Sequence, residues 1–381
     1  MRLDVEKIRR DFPALKDWTY LDTAFVGLYP RQVREGYEEF LDHWMYFRAS
    51  GVKTILTEWL EKTDEVRGLV AHLIGAKFSE VAFTMCTGSG LNIVVNGTEW
   101  KRGDNVVFPE WEHNALDTAI LRRNGVESRP LKVSNGRVEL SDLERAVDDR
   151  TRLVQVSQVG YINGFRFDLK EVADIAHDHS AKLLVDSTQA LGALVTDVKK
   201  ENVDYVSAAP YKYLMGPAGL AFLYVNEESL SELSPDRVGW KNQLWEGEHA
   251  EKPSEHPETA SKFEYGTLHF QGVYGLEKSI EYIQSIGLKN IEKRIIELSE
   301  YLWKRMDEQG KKMYTPHGTK SPIVSFYEKE AVDLSAKLMA MKIKVTGREA
   351  HGGHIRTSVH FYNTKEDIDC YKEALDQAKK A

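Results

Sequence analysis

Asp186 closes the apolar run Leu183-Leu-Val185, and Lys212 follows 26 positions later within Ser207-Ala-Ala-Pro-Tyr-Lys-Tyr-Leu-Met-Gly-Pro217. An acid at a strand end and an amine at that spacing are what pyridoxal 5'-phosphate chemistry requires. The amine holds the cofactor aldehyde as a Schiff base. The carboxylate keeps the pyridine nitrogen protonated, so the ring draws electrons from a substrate carbanion. Taken singly, Lys212 reads as a solvated surface group and Asp186 as a cap. Their surroundings decide the matter.

The loop Thr84-Met-Cys-Thr-Gly-Ser-Gly-Leu-Asn92 follows an apolar run and opens a helical one. Its small residues leave backbone N–H groups open to an anion, and a helix N-terminus adds partial positive charge. A phosphate placed there would rest on the amides of Thr87 and Gly88, with the Thr87 hydroxyl adding a bond. On its own the loop is an ordinary strand-to-helix turn; it lacks the third glycine of a dinucleotide fingerprint and the Gly-Lys-Ser/Thr of a P-loop. His113, in Glu110-Trp-Glu-His-Asn-Ala115, follows another apolar run and offers a flat ring to a bound pyridine. Gln189, three residues past Asp186, reaches toward the phenolic oxygen of the same ligand.

These residues need strand ends to hold them. The runs 81–84, 105–108, 153–156, 183–185 and 220–225 are apolar on both faces, as buried parallel strands are. Amphipathic stretches such as Leu169–His179 lie between them, so the pattern is an α/β layered fold with a mostly parallel sheet. A Glu-, His- and Pro-rich stretch over 245–260 reads as an exposed loop toward a second domain. A long helical region, roughly Gly272–Gln309, and a smaller α+β segment follow.

Composition narrows the class. The chain has 381 residues, 51 basic and 59 acidic, with a formal net charge of −8 and no basic tract, which argues against nucleic acid. The charged start, with no apolar stretch of signal type, and the lack of a membrane-length apolar run predict a soluble cytoplasmic protein. Cys86 and Cys370 are too few for a disulfide framework, and both read as packing cysteines.

The motifs together resemble class V of the pyridoxal phosphate-dependent aminotransferases, which includes cysteine desulfurases, selenocysteine lyases, isopenicillin N epimerase-like proteins and kynureninases. Tyr20-Leu-Asp-Thr-Ala24, Thr87-Gly88, Glu112-His-Asn-Ala115, Asp186-Ser-Thr-Gln189 and Tyr211-Lys-Tyr-Leu214 with Gly216-Pro217 carry the likeness. Phe263-Glu-Tyr-Gly-Thr-Leu-His-Phe270 and Arg356-Thr-Ser-Val-His-Phe-Tyr-Asn-Thr364 extend it. The resemblance implies fold type I: a large domain over 17–255 with a mostly parallel seven-stranded sheet. A smaller α+β domain would combine 1–16 with 256–381. It implies Lys212, Asp186 and His113 as catalytic residues. Thr87, Gly88 and Tyr211 would hold the phosphate. Gln189 would lie at the phenolic oxygen, and Thr267 would reach the phosphate of a neighbouring subunit in a homodimer with shared sites. Arg356 would clamp the substrate α-carboxylate through a bidentate pair.

Three departures from the family stand out. Ala209 lacks a hydroxyl that relatives offer the phosphate, so Tyr211 is the substitute. Tyr161 stands where desulfurases have an asparagine near the cofactor oxygen. Desulfurases also carry a nucleophilic cysteine shortly before the carboxylate-binding arginine, and Thr346-Gly-Arg-Glu-Ala-His-Gly-Gly-His-Ile-Arg356 contains none. His351 and His354 in that segment read as loop residues open to substrate rather than as metal ligands, since no acid or cysteine completes a set. The expectation is an enzyme acting at the Cα of an amino acid, with amino-group transfer first. Cysteine-independent β-elimination at C–S or C–Se comes second and epimerisation third. The non-enzyme alternative is an inactive descendant that serves as a binding or regulatory protein.

Overall fold

The computed structural model describes residues 3–48, 53–244 and 255–378. Seven strands form the central sheet: β1 (Val81–Thr84), β2 (Asn105–Pro109), β3 (Glu127–Leu131), β4 (Thr151–Ser157), β5 (Lys182–Asp186), β6 (Tyr205–Ala208) and β7 (Ala221–Val225). Their spatial order is β1-β7-β6-β5-β4-β2-β3. The neighbours from β6 through β3 pair in parallel, while β7 runs antiparallel to both β6 and β1. Six strands therefore point one way and share one carboxyl edge. This is the expected α/β fold with a mostly parallel sheet.

Period-two alternation fills both faces of this sheet. Leu183 and Val185 join one buried apolar cluster, and Leu184 between them joins the other. A strand buried on both sides must be apolar throughout, which is why five of the seven were visible as runs. The two that were not have physical reasons. Strand β3 reads Glu-Ser-Arg-Pro-Leu; it is an edge strand, largely solvent-facing, where a proline costs no ladder bond. Strand β6 is four residues long and runs straight into the segment that carries Lys212.

The stretch from Leu169 forms a helix to Asp178, with the Asp168 carboxylate accepting from the Lys170 and Glu171 amides. The expected long helix is two helices, Phe270–Ile286 and Leu288–Glu308. They break at Gly287, whose φ of +86° ends the first. A three-stranded antiparallel sheet follows, made of β8 (Ile323–Tyr327), β9 (Thr346–Arg348) and β10 (His354–Ser358) with β10 central. Residues 245–254 of the charged loop lie outside the described residues. Among the described residues no helix is long and apolar enough to cross a membrane.

One expectation is corrected here. Cys86 and Cys370 are both exposed. On the C-terminal helix Lys365–Ala378 the buried stripe is Ile368, Tyr371, Ala374, Leu375 and Ala378, and Cys370 falls off it. Cys86 sits at the N-cap of the helix Thr87–Gly97, beyond the end of β1.

Candidate active site

Ser157, Asp186 and Ser207 are in register at the carboxyl ends of β4, β5 and β6. The helix Thr87–Gly97 starts beyond the same edge of β1, and His113 caps the helix Asn114–Leu121 beyond β2. Open α/β sheets bind ligands at this edge. A cavity of about 240 Å³ opens there, lined by Thr87, Gly88, His113, Asp186, Gln189, Tyr211 and Lys212, with Cys86 and Tyr161 in its wall. Most of the residues expected from sequence are thus brought together. Thr267 is not: it is exposed and lines a separate cavity of about 130 Å³ beside Arg237 and Tyr265. Arg356 lies behind the wall, donating from Nη1 to the Tyr161 carbonyl at 3.0 Å.

The segment around Lys212 is fixed by its backbone. The Gly27 amide donates to Tyr211 O at 2.9 Å, Met215 N to Lys212 O at 3.0 Å, and Gly216 N to Pro210 O at 2.9 Å. His360, fully buried, binds Tyr213 O through Nε2 at 2.9 Å, and Ser279 donates from Oγ to Leu214 O. Tyr211, Tyr213 and Leu214 are tied to three distant parts of the chain, and Pro210 and Lys212 close local turns between them. Such anchoring costs the amine little entropy when it reacts.

The electrostatics suit an amine that must be partly neutral. Burial pushes Lys212 down to about 8; Asp186 opposes the shift, while Arg356 and Arg348 add to it. Asp186 accepts the Thr188 amide on Oδ1 at 2.8 Å. Thr87 Oγ1 and Thr188 Oγ1 share a bond of 2.8 Å at the head of the helix Thr87–Gly97. Gln189 donates from Nε2 to Ala24 O at 3.1 Å, which leaves its Oε1 buried and without a hydrogen-bond partner. A ligand hydroxyl would satisfy that oxygen. An isolated amine, a strand-end acid, a helix-head anion cradle and an unsatisfied polar atom in one cavity fit pyridoxal phosphate.

Arg356 is 1% exposed, and its Nε and Nη2 have no hydrogen-bond partner. Nε and Nη2 form the edge of the guanidinium that grips a carboxylate with two parallel bonds. Beneath it lies Asp22, fully buried, 3.7 Å from Nη2 and accepting from Thr346 Oγ1 at 2.7 Å. In the sequence Asp22 stands within the Tyr20–Ala24 motif, with no sign of this contact. The same holds for Glu112, which accepts from Ser157 N at 2.7 Å and from Ser157 Oγ. Burial, reinforced by Asp186, pushes the Glu112 carboxyl up to about 7. Glu112 thus ties the His113 turn to the end of β4. His351 and His354 have separate surroundings: the His351 ring packs on Trp111, while His354 bonds Ala350 O and packs on Tyr314.

The model of the family described as aminotransferase class-V matches residues 19–370. A probable cysteine desulfurase of Methanothermobacter thermautotrophicus is 32% identical, the match covering 98% of this chain and 97% of the relative. A second probable cysteine desulfurase, from Pyrococcus abyssi, is 29% identical over 99% of this chain and 98% of its own. Among solved structures, the apo cysteine desulfurase of Thermococcus onnurineus NA1 superposes with a TM-score of 0.90 at 28% identity, covering 100% of this chain and 99% of that one. A cystine C–S lyase in complex with cysteine persulfide superposes at 0.88 over 96% of this chain and 98% of that one, at 23% identity, which shows a shared fold.

Proposed function

The chain belongs to the aminotransferase class-V family, and on that premise we propose that it is a pyridoxal phosphate-dependent C–S lyase acting on a sulfur amino acid. Bound in the cavity, the cofactor supplies an electron sink for the bond broken at the amino acid Cα. Lys212 would hold it covalently and serve as the base that moves the Cα proton, its Nζ being an amine that burial pushes down to about 8. Asp186 would keep the pyridine nitrogen protonated. Thr87, Gly88 and Tyr211 would hold the phosphate, joined by Thr267 of a second copy of this chain. His113 would stack on the ring, Gln189 would bond the phenolic oxygen, and Arg356 would grip the α-carboxylate on its Nε–Nη2 edge.

The observation that carries the reading is the segment Thr346–Arg356. Desulfurase-named relatives cover nearly the whole chain, yet this segment has no cysteine to accept sulfur. Sulfur then leaves with the substrate's own electrons: cysteine and water give sulfide, ammonia and pyruvate. These observations support C–S cleavage ahead of the amino-group transfer that the sequence alone put first. The test is a Cys86→Ser, Cys370→Ser double variant supplied with free cysteine. Sulfide and pyruvate in equal amounts, undiminished in the variant, support elimination. Loss of sulfide in the variant, or keto acid formed only with an added amino acceptor, rejects it.

A further inference from the structure

A second arginine, Arg348, stands beside the site and has no ion pair among the described residues. Strands β9 and β10 pair antiparallel with Thr346 opposite Arg356 and Arg348 opposite His354. Directly opposed residues share a face of a sheet, as do residues two apart, so Arg348 and Arg356 stand on one face as diagonal neighbours, roughly 7 Å apart. Tyr161 joins them to the cavity it lines. Its carbonyl takes Arg356 Nη1 at 3.0 Å, and its ring lies 5.5 Å from the Arg348 guanidinium carbon. The other side of Tyr161 meets chemistry as well: its ring packs edge-on to His113 at 5.2 Å.

Arg348 is half-buried, its Nε is shut from water without a hydrogen-bond partner, and among the described residues it makes no ion pair. The two carboxylates on the cavity side of the arginine pair, Asp22 and Asp186, have other partners. Asp22 is shared by Arg356, Lys344 and Thr346, and Asp186 serves the cofactor end of the cavity. The hairpin is also held in place. Tyr314 donates its hydroxyl to His351 O, and Gly353 lies so close to Glu328 that a Cβ there would sit 2.4 Å from its carbonyl oxygen. A guanidinium on a fixed hairpin, with its Nε shut from water and unpartnered, is placed to gain from an anion that meets it.

We propose that Arg348 binds a second anionic group, a carboxylate at the far end of the substrate's side chain, while Arg356 takes the α-carboxylate. This rests on the reading of the cavity as the site of a C–S lyase and adds the substrate class: a sulfur amino acid that carries a second carboxylate beyond its sulfur. Diagonal positions on one sheet face put the two arginines within reach of two carboxylates separated by a short chain.

The test uses the cofactor-loaded enzyme and ligands that cannot react: straight dicarboxylates of four to six carbons against monocarboxylates of equal length, with dissociation constants from calorimetry. The diacids are expected to bind roughly tenfold tighter or more, as one added charge-assisted pair provides. Arg348→Gln removes that preference while leaving monocarboxylate affinity and bound cofactor unchanged, and Arg348→Lys retains part of it. Equal binding of the two acid series by the wild type overturns the proposal. So does an Arg348→Gln variant that weakens both series by one factor, which would put both arginines on one carboxylate. Loss of cofactor from that variant overturns it too. Failure of the lyase reading is separate: it appears as no sulfide from a cofactor-loaded enzyme that still prefers diacids.

Discussion

Gly27 and Lys212 are in backbone contact: a Cβ at residue 27 would sit 1.9 Å from the Lys212 carbonyl oxygen. The Gly27 amide meanwhile donates to Tyr211 O at 2.9 Å. The N-terminal segment that carries Asp22 therefore also sets the position of the reactive lysine, so both the amine and the support of Arg356 depend on one stretch of chain. A shift of either backbone would move Nζ relative to Asp186, and chemistry at a fixed ligand tolerates little of that.

Gly27→Ala is expected to destabilise the protein by about 1–3 kcal/mol or more, as overpacking against backbone does. It is also expected to slow covalent capture of the cofactor, because the clash falls on the residue that captures it. Denaturant melts and the rate at which cofactor-free protein gains visible absorbance measure the two effects. A variant that melts and loads like the wild type would contradict the contact.

Lys212 sets the pH dependence of loading. Its amine is pushed down to about 8, chiefly by burial, and the neutral form is the nucleophile. Capture of the cofactor by cofactor-free protein should accelerate as pH rises, reach half its maximum near 8 and level off above. Asp186 raises the value, so Asp186→Asn should move the midpoint to lower pH. An unmoved or rising midpoint in that variant would sever the two residues. Borohydride reduction followed by peptide mass mapping should place the cofactor on Lys212 and on no other lysine.

The site was legible in the sequence where a functional residue lies next to a strand end. Asp186 closes β5, and Thr87 follows β1 closely, so an apolar run marks each. Asp22, Gly27 and Arg348 gave no such signal. Each owes its part to a neighbour far along the chain: Arg356, Lys212 and Tyr161 respectively. The antiparallel direction of β7 was hidden for a related reason. A strand buried on both faces looks alike from either end, and only its connection to β6 and its pairing with β1 reveal the sense.

Glu112 predicts a pH-dependent stability difference. Its carboxyl titrates near 4.5 in the unfolded chain and about 7 in the fold, so the folded state favours the protonated form. The resulting stability is complete below about 4.5 and is lost as pH rises through about 7. Glu112→Gln keeps the shape and the bond to Ser157 N but cannot ionise. The variant should match the wild type near pH 4 and gain on it progressively to pH 8, reaching at most a few kcal/mol. Urea titrations of both proteins across that range test this. A constant difference would mean that folding does not shift the Glu112 carboxyl.

Arg356 separates binding from chemistry. Its unpaired Nε–Nη2 edge matches a carboxylate in two places, whereas a lysine ammonium offers a single point of charge. Arg356→Lys keeps a positive charge over Asp22, which limits the folding defect that an uncompensated buried acid would cause. The variant should therefore melt close to the wild type and keep its cofactor. Its KM for the amino acid should rise roughly tenfold to a hundredfold, the worth of a charged hydrogen-bond pair, with kcat changed far less. If kcat collapses while KM holds, Arg356 acts on the reacting atoms and the carboxylate is gripped elsewhere. If neither moves, the α-carboxylate does not reach Arg356, and the amino acid lies in the cavity in another orientation.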